Sequence, residues 1–245
     1  MKNQYFGDIR DLFKYDLCLE LLVNTPINKF LFIPMLTPND ERKDGNRINY
    51  KKAKAGLLRR NLVEFLQKCI KEEKRDISIL ENFFKKFNRK RKNLTTINHK
   101  IKLCIYKKNE YFTNKNRLEY FQNIPFKFLK ETLILVDPDN GLEVKSKSNP
   151  EKYLLYSELK ILYKKMDDKS ILVVFQFIPR IKRFIYFHTI SQKIKTNLGS
   201  NSKVLFISDN QIVFFIILKH KTLYTNVRSV LSHYAKIYEL IFGER

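Results

Sequence analysis

The fold is decided by the stretch Leu133-Ile-Leu-Val-Asp137-Pro-Asp139-Asn140-Gly-Leu-Glu143-Val-Lys145, in which four apolar residues lead directly into carboxylates, an amide and a glycine. The apolar run predicts a strand buried on both faces of a parallel sheet. Proline ends the strand, and the Asn-Gly pair tolerates the left-handed backbone of a tight turn. In open α/β sheets, ligands bind beyond the carboxyl ends of the strands. The stretch therefore predicts a functional site in the turn after the strand, and the alternative interpretation is an ordinary turn.

The segments on either side alternate between predicted strands and helices. Continuous apolar runs that end in polar residues predict buried strands, and spacings of three and four predict amphipathic helices. Predicted strands are 29–33, 100–106, 170–178 and a hairpin of 203–207 with 211–218; predicted helices are 8–23, 51–71, 76–86, 150–166, 181–196 and 224–242. The alternation predicts an α/β fold with a three-layer, mostly parallel (Rossmann-like) sheet, helices on both faces and a C-terminal antiparallel hairpin. Residues 1–245 are expected to form a single domain with a helical, basic insertion at about 50–130.

Charge is the second informative feature. Lys and Arg number 48 against 25 Asp and Glu, which gives a formal net charge of +23 and an isoelectric point near 9.8. Such an excess attracts polyanions and releases their counterions on binding, so nucleic acid is the expected partner, with DNA favoured over RNA. Codon bias toward lysine would spread the cations evenly, whereas six of them lie within residues 85–92, where the alternative is a solvated helix end. The residues expected to contact the phosphate backbone are Lys85, Lys86, Arg89, Lys90, Arg91 and Lys92.

Cysteine usage and hydropathy predict a cytoplasmic protein. The three cysteines, Cys18, Cys69 and Cys104, lack paired spacing and lie in apolar patterns, which indicates reduced core residues rather than disulfides or a zinc site. The longest apolar run, residues 212–218, is too short to span a bilayer, and the first residues lack a signal-peptide pattern. We therefore expect no membrane partner, and the sequence leaves the oligomeric state open.

Five motifs resemble, in the same order, those of a widespread, uncharacterised bacterial family. Members of that family resemble one another as Gly-Asp-x-x-Asp-x-x-Lys-Tyr near the start, found here at 7–15, and Asp-Pro-Asp-Asn-Gly in the middle, found here at 137–141. The other matching segments are 35–45, 152–158 and 175–180. The resemblance covers most of the chain and implies membership of the family without implying an activity.

A more distant resemblance is to the ribosomal-RNA adenine-N6 methyltransferases. In that class a strand ends in Asp-Pro-Pro-Tyr, where this chain has Asp137-Pro138-Asp139-Asn140, and the motif holds the exocyclic amine of a flipped base. The resemblance implies S-adenosylmethionine as the cofactor. This chain departs from the class in two ways: no aromatic residue stands at the fourth position of the motif to stack on the base, and the loop 34–46 contains a single glycine, Gly45. The second departure weighs against that cofactor.

Three functions remain open on these residues. The favoured one is a hydrolytic enzyme on nucleic acid, because predicted strand ends and loops carry more carboxylates than a basic surface requires. It would act by base excision, with no cofactor, or by Mg²⁺-dependent strand cleavage, with Asp137, Asp139 and Glu143 as metal ligands. The alternatives are S-adenosylmethionine-dependent base methylation and non-catalytic nucleic-acid binding. The predicted catalytic residues are Asp8, Asp137, Asp139 and Asn140, and the predicted substrate-binding residues are Asp11, Lys14, Tyr15, Asp40, Asp44, Gln176 and Arg180. We expect these groups to meet in one crevice.

Overall fold

A seven-stranded sheet forms the centre of the part of the chain that the structure describes. The computed structural model describes residues 1–41, 46–91, 100–144, 149–219 and 221–244, and of residues 89–91 and 222 it describes the backbone alone. The strands of the sheet are β1 Lys29–Ile33, β2 Lys102–Ile105, β3 Thr132–Val136, β6 Ile171–Phe177, β7 Lys203–Ser208, β8 Ile212–Leu218 and β9 Ile241–Glu244. A separate two-stranded ladder pairs β4 Gly141–Leu142 with β5 Tyr153–Leu154.

Helices cover both faces of the sheet. They are α1 Ile9–Asn24, α2 Arg60–Lys71, α3 Leu80–Arg91, α4 Arg117–Gln122, α5 Tyr156–Lys165, α6 Arg183–Leu198 and α7 Lys221–Tyr238. Along β3, Leu133 and Leu135 pack in the core beneath α1, α2, α3 and α7, whereas Ile134 and Val136 pack in the core beneath α4, α5 and α6. The expected three-layer, mostly parallel, Rossmann-like fold is therefore confirmed. Among the described helices, none is both long enough and apolar enough to cross a membrane.

The strand order creates a switch point at the carboxyl ends of β1 and β3. The order across the sheet is β2-β1-β3-β6-β8-β7-β9, and β2, β1, β3 and β6 are parallel. The chain runs from β1 to β2 at one edge and then crosses to β3 on the other side of β1. Ligands of open α/β sheets bind in the crevice at such a reversal. Beyond β6, the antiparallel β8 lies between β6 and β7, which confirms the C-terminal hairpin.

The segment expected as a helical insertion, residues 50–130, is only partly helical. Gly56 has a φ of +86°, a backbone conformation that favours glycine, and α2 begins at Arg60 rather than near residue 51. The same segment contributes the edge strand β2, which pairs with β1 in the main sheet. Helices α2 and α3 bury their apolar faces in the core beneath α1. The division into one domain with an insertion stays a prediction.

Two other predicted helices have different bounds from those expected, because residues at one end of each pair as strands. The helix expected at 150–166 begins only at Tyr156, since β5 pairs with β4 and buries Leu154 completely. The helix expected at 224–242 begins at Lys221 and ends at Tyr238. Glu239 adopts a φ of +52°, and the following residues pair with β7 as β9. In both cases the strand pairs with a segment elsewhere in the sequence, and the local periodicity used to predict the helix does not indicate such a pairing.

Candidate functional site at the carboxyl edge of the sheet

The end of β3 meets the N-terminus of α1 in a small cavity, which we call the strand-end cavity. Asp8 caps α1, and its Oδ1 accepts hydrogen bonds from the backbone N–H groups of Arg10 at 2.9 Å and Asp11 at 3.0 Å. The cavity has a volume of about 60 Å³, which is room for roughly two water molecules. Its walls are Met1, Lys2, Tyr5, Asp8, Arg10, Asp11, Lys14, Asp137, Pro138, Asp139, Phe175 and Phe177.

Lys14 joins two buried carboxylates at this cavity. Its Nζ lies 2.6 Å from Asp11 Oδ1 and 2.7 Å from Asp137 Oδ2, and none of the three side chains is more than 5% exposed. Burial lowers the pKa of Lys14, but the two carboxylates outweigh burial and raise that pKa above its ordinary value. Burial raises the pKa of Asp137, and the charge of Lys14 opposes this shift. A single ammonium group therefore serves two acids that belong to different elements.

Asp139 is held by Met1 and Thr37. The Met1 ammonium lies 2.6 Å from Asp139 Oδ1 and also donates to the carbonyls of Met35 at 3.1 Å and Asp137 at 3.3 Å. Thr37 donates its hydroxyl to Asp139 Oδ2 at 2.7 Å and its N–H to the Met1 carbonyl at 2.8 Å. Burial raises the pKa of Asp139, but the ammonium and Thr37 outweigh burial and hold that pKa below its ordinary value. Met1 thus fills the crevice between the carboxyl ends of β1 and β3.

Asp8 has a proton affinity suited to neutral pH. Burial raises its pKa to about 7, and the neighbouring charge of Asp11 adds to the shift. The N–H group of Asp11 and the charges of Arg10 and Lys14 favour the ionised form without offsetting burial. A carboxyl group with such a pKa gains and loses its proton near pH 7, which is a property of groups that transfer protons.

A second, larger concavity adjoins the strand-end cavity, and we call it the basic groove. It lies beyond the carboxyl end of β6, beside the turn between β7 and β8, and has a volume of about 1170 Å³. Arg10 and Phe177 line both concavities, with the Arg10 guanidinium 4.4 Å from the centroid of the Phe177 ring. Within the described residues, no carboxylate lines the groove. Its lining residues are Arg10, Arg47, Phe177, Ile178, Pro179, Arg180, Ile181, Lys182, Arg183, Asn210 and Gln211.

The structure brings part of the predicted site together. The predicted residues that line the strand-end cavity are Asp8, Asp11, Lys14, Asp137 and Asp139. Tyr15 is buried instead in the core, where its ring lies edge-on to that of Phe32 at 5.9 Å. Asp40 forms an ion pair with Lys2 beside the cavity. Arg180 lies in the basic groove, so the predicted residues divide between two adjacent concavities rather than one crevice.

The basic cluster expected on α3 is described only in part. Lys85 and Lys86 are exposed on α3, which packs beside the edge strand β2 and does not line the basic groove. Asp44 and Lys92 lie outside the described residues, as do the side chains of Arg89, Lys90 and Arg91. Phosphate binding by this cluster stays a prediction.

Gln176 fixes the turn after β3 instead of facing a ligand. Its Oε1 accepts a hydrogen bond from the Leu142 N–H at 2.6 Å, and its Nε2 donates to the carbonyls of Asn140 at 3.2 Å and Phe177 at 2.8 Å. Gly141 has a φ of +108°, and a Cβ there would lie 2.4 Å from the Gln176 amide. The expectation that Gln176 binds substrate is therefore wrong, because its amide is engaged with the backbone of the protein. Asn140 belongs to the turn that this amide holds.

The predicted metal ligands do not assemble. Glu143 Oε1 accepts a hydrogen bond from the Tyr156 N–H at 2.8 Å, at the beginning of α5, and Glu143 does not line the strand-end cavity with Asp137 and Asp139. Among the described residues, no group of three or more His, Cys, Asp or Glu side chains is placed to hold a metal ion. The β4–β5 ladder is the physical reason, since it turns the chain away from the cavity after Gly141. The expectation of a metal site formed by these three acids is corrected.

Several residues of the two concavities were not predicted. Lys182 and Arg183 stand beside the predicted Arg180 in the sequence, so a search for alternating cations and apolar residues after β6 would have found them. Arg10 lies within the Gly-Asp motif, two residues after the helix cap, which is also a usable signal. Arg47 and Met1 reach the site only through tertiary packing, and their sequence context carries no comparable signal.

No protein-family model and no curated protein sequence matches the chain. Among solved structures, the chain is similar to human methyltransferase-like protein 13 in complex with SAH, at 9% sequence identity and a TM-score of 0.35. The match covers 90% of this chain and 89% of that chain. A likeness at this level concerns layout and carries no argument about what this chain binds. Membership of the bacterial family indicated by the motifs stays a prediction.

The expectation of a hydrolytic enzyme is corrected. The described site departs from the expected chemistry, because Lys14 and the Met1 ammonium already pair with Asp137 and Asp139, the two acids expected to orient water or metal. Neither strand cleavage nor base excision is therefore proposed for this protein.

The ion pairs of Lys14 predict a large loss of stability on its removal. The variant Lys14→Met should lower the free energy of unfolding by about 3–5 kcal/mol, because removing one partner of a buried ion pair leaves uncompensated buried charge. Urea denaturation followed by circular dichroism measures the change. The matched control is Lys68→Met, since Lys68 is 67% exposed in its pair with Glu72. This variant should lower the free energy of unfolding by about 1 kcal/mol or less. Equal losses in the two variants would contradict the role of Lys14.

The raised pKa of Asp8 predicts a pH-dependent effect of Asp8→Asn. In the folded protein the pKa is about 7, above the ordinary 3.8, so the folded state binds the proton more tightly. The stability that the protonated Asp8 carboxyl group gives to the folded state is complete below about pH 4 and is lost as the pH rises toward 7. Asparagine keeps the helix cap and never ionises. We therefore expect the stability of Asp8→Asn relative to wild type to increase by up to ~1.4 kcal/mol per pH unit over this window.

Urea denaturation at several pH values checks this prediction. The control is Asp76→Asn, which changes another capping aspartate, one that accepts a hydrogen bond from Ser78 N–H at 2.7 Å outside the cavity. A stability difference between Asp8→Asn and wild type that stays constant with pH would refute the assignment.

Proposed function

We propose that the protein binds nucleic acid, with the phosphate backbone lying in the basic groove. The observation that carries the proposal is the gathering of five cations around one concave surface of about 1170 Å³, with no carboxylate in the lining that the structure describes. Arg and Lys contacts to phosphates supply most of the sequence-independent affinity for nucleic acid. The net charge of +23 adds a long-range field of the same sign.

The hydrogen bonds of the groove support this proposal, because they orient cations without neutralising them. Arg183 donates to Asn210 Oδ1 at 3.2 Å, and Arg47 donates to Gln211 Oε1. Both acceptors are uncharged amides from the turn between β7 and β8. A guanidinium group held by an amide keeps its full charge and its remaining N–H donors for a phosphate.

The carboxylates of the neighbouring cavity do little to repel a polyanion. Lys14 lies between Asp11 and Asp137, and the Met1 ammonium pairs with Asp139. Arg10 stands at the boundary, lining both the cavity and the groove. The positive field of the groove is therefore maintained beside a cluster of acids.

A triple variant tests the groove. Replacing Arg180, Lys182 and Arg183 by Gln should weaken binding and flatten its salt dependence, because each lost phosphate contact lowers the slope of log affinity against log salt by about 0.7 for single strands and about 0.9 for duplex. Three contacts lower the slope by roughly 2–3. Fluorescence anisotropy with labelled DNA and RNA oligonucleotides, repeated across a salt titration, measures the slope.

A matched control distinguishes the loss of phosphate contacts in the groove from a general reduction of positive charge. The variant Lys160→Gln, Lys164→Gln, Lys193→Gln removes the same charge from exposed positions on α5 and α6 that do not line the groove. We expect it to retain most of the wild-type slope. Equal losses in both triple variants would remove the groove from the proposal, and undetectable binding by wild type at low salt would remove nucleic acid altogether.

Methyl transfer to a nucleic-acid base is a second candidate function. The observation that favours it is the position of Asp137-Pro138, directly after β3 at the switch point of a mostly parallel sheet and next to the groove. S-adenosylmethionine does not fit the described residues. Met1 fills the crevice, Met35 and Leu36 after β1 are buried, and the cavity of about 60 Å³ is far below the several hundred Å³ of sites for ligands of that size.

Isothermal titration calorimetry with S-adenosylmethionine tests the second candidate. We expect no binding to the protein alone, because the crevice is closed. Binding that emerges when an oligonucleotide is present would retain the candidate, since the nucleic acid would then have opened the crevice. No binding in either condition would exclude methyl transfer without affecting the proposal of nucleic-acid binding.

A further inference from the structure

The segment after β6 presents apolar side chains beside the cations of the basic groove. Residues 179–185 are all exposed. Among them, Ile181, Phe184 and Ile185 are 54%, 66% and 60% exposed. Grouped apolar side chains that remain in water mark a binding surface rather than a structural feature. The cations interleaved with them, Lys182 and Arg183, line the groove.

Phe184 is supported from beneath. Its ring centroid lies 4.5 Å from that of His188, at an interplanar angle of 61°. The His188 ring in turn lies edge-on to Phe206, at 6.0 Å between centroids. The aromatic ring is thus packed on one side and open to solvent on the other, which is the arrangement on which nucleic-acid bases stack.

We propose that the ligand of the basic groove is single-stranded nucleic acid, with a base stacked on Phe184 while Arg180, Lys182 and Arg183 hold the adjacent phosphates. This inference rests on the proposed function and adds the class of nucleic acid. Every base of a single strand offers a face for stacking, whereas the bases of a duplex are covered by their neighbours. The phosphates of a duplex would pair with the cations of the groove, but no base of the duplex would be free to stack on Phe184.

An anionic membrane surface accounts for the observations less well. It would accept the exposed cations and Phe184 together. However, the groove is concave, and Arg10 lies half-buried in its wall, stacked on Phe177. A planar surface does not reach a half-buried guanidinium group, whereas a flexible polynucleotide can follow the groove to it. The charge and shape of the groove therefore favour the single strand.

Anisotropy measurements on Phe184 variants test this inference. The probes are a fluorescein-labelled single-stranded oligodeoxynucleotide and the duplex formed with its complement. We expect Phe184→Ala to weaken single-strand binding by about 5- to 150-fold, the value of one base–aromatic stack, and to change duplex binding less than about twofold. Phe184→Trp should restore single-strand binding, because it keeps a stacking face.

The matched control is Phe126→Ala, since Phe126 is 57% exposed and, unlike Phe184, has no neighbour along the chain that lines the groove. It should leave both affinities unchanged. Equal effects of Phe184→Ala on single strand and duplex, or none on either, would overturn the stacking inference while leaving the proposed function in place. Wild type that binds neither probe would refute the proposed function itself. A further arm uses vesicles containing phosphatidylserine: loss of vesicle binding by Phe184→Ala, with single-strand binding unchanged, would assign the surface to membranes.

Discussion

The arrangement of the carboxyl edge depends on the two ion pairs of Lys14. Its ammonium ties the second turn of α1 to Asp137, directly after β3, across 123 residues of sequence. Without a cation, burying Asp11 and Asp137 together would cost several kcal/mol, because neither charge would reach water. With Lys14 in place, the N-terminus of α1 lies across the end of the sheet and directs Asp8 into the same cavity. The acids are therefore part of the fold as well as part of the candidate site.

This arrangement sets two regions of opposite character side by side. In the strand-end cavity, acids are buried and each is matched by hydrogen bonds or by a nearby cation, so little net charge faces outward. In the basic groove, Arg47 and Arg183 are oriented by neutral amides, so positive charge does face outward. Electrostatic potential adds over short distances. Without its internal cations, the acidic cavity would weaken the positive potential of the groove. The ion pairs of Asp137 with Lys14 and of Asp139 with the Met1 ammonium prevent this.

The separation along the chain between interacting residues decides how much of the structure could be predicted from the sequence. The bounds of β1 follow from a continuous apolar run ended by proline, and the acids at the end of β3 follow from the same local logic. Glu143 looked like a metal ligand because it stands near Asp137 and Asp139 in sequence, but the pairing of β4 with β5 places it at the beginning of α5. Gln176 is predicted to bind substrate because it stands at the end of β6, yet Gly141 leaves space that its amide fills. Both errors arise from contacts formed between distant segments.

Arg10 shows how the two regions are joined. Burial lowers the pKa of its guanidinium, and Asp8 opposes that shift from the cavity side, while the Phe177 ring packs against it on the groove side. Its Nε is buried and has no hydrogen-bond partner among the described residues. A buried donor left unpaired costs about 1–3 kcal/mol, so an acceptor that reaches it recovers that free energy. A phosphate oxygen supplies the negative charge and the lone pair that this cationic N–H group can bind. An anionic ligand in the groove, as proposed above, would recover part of this cost at Arg10 Nε.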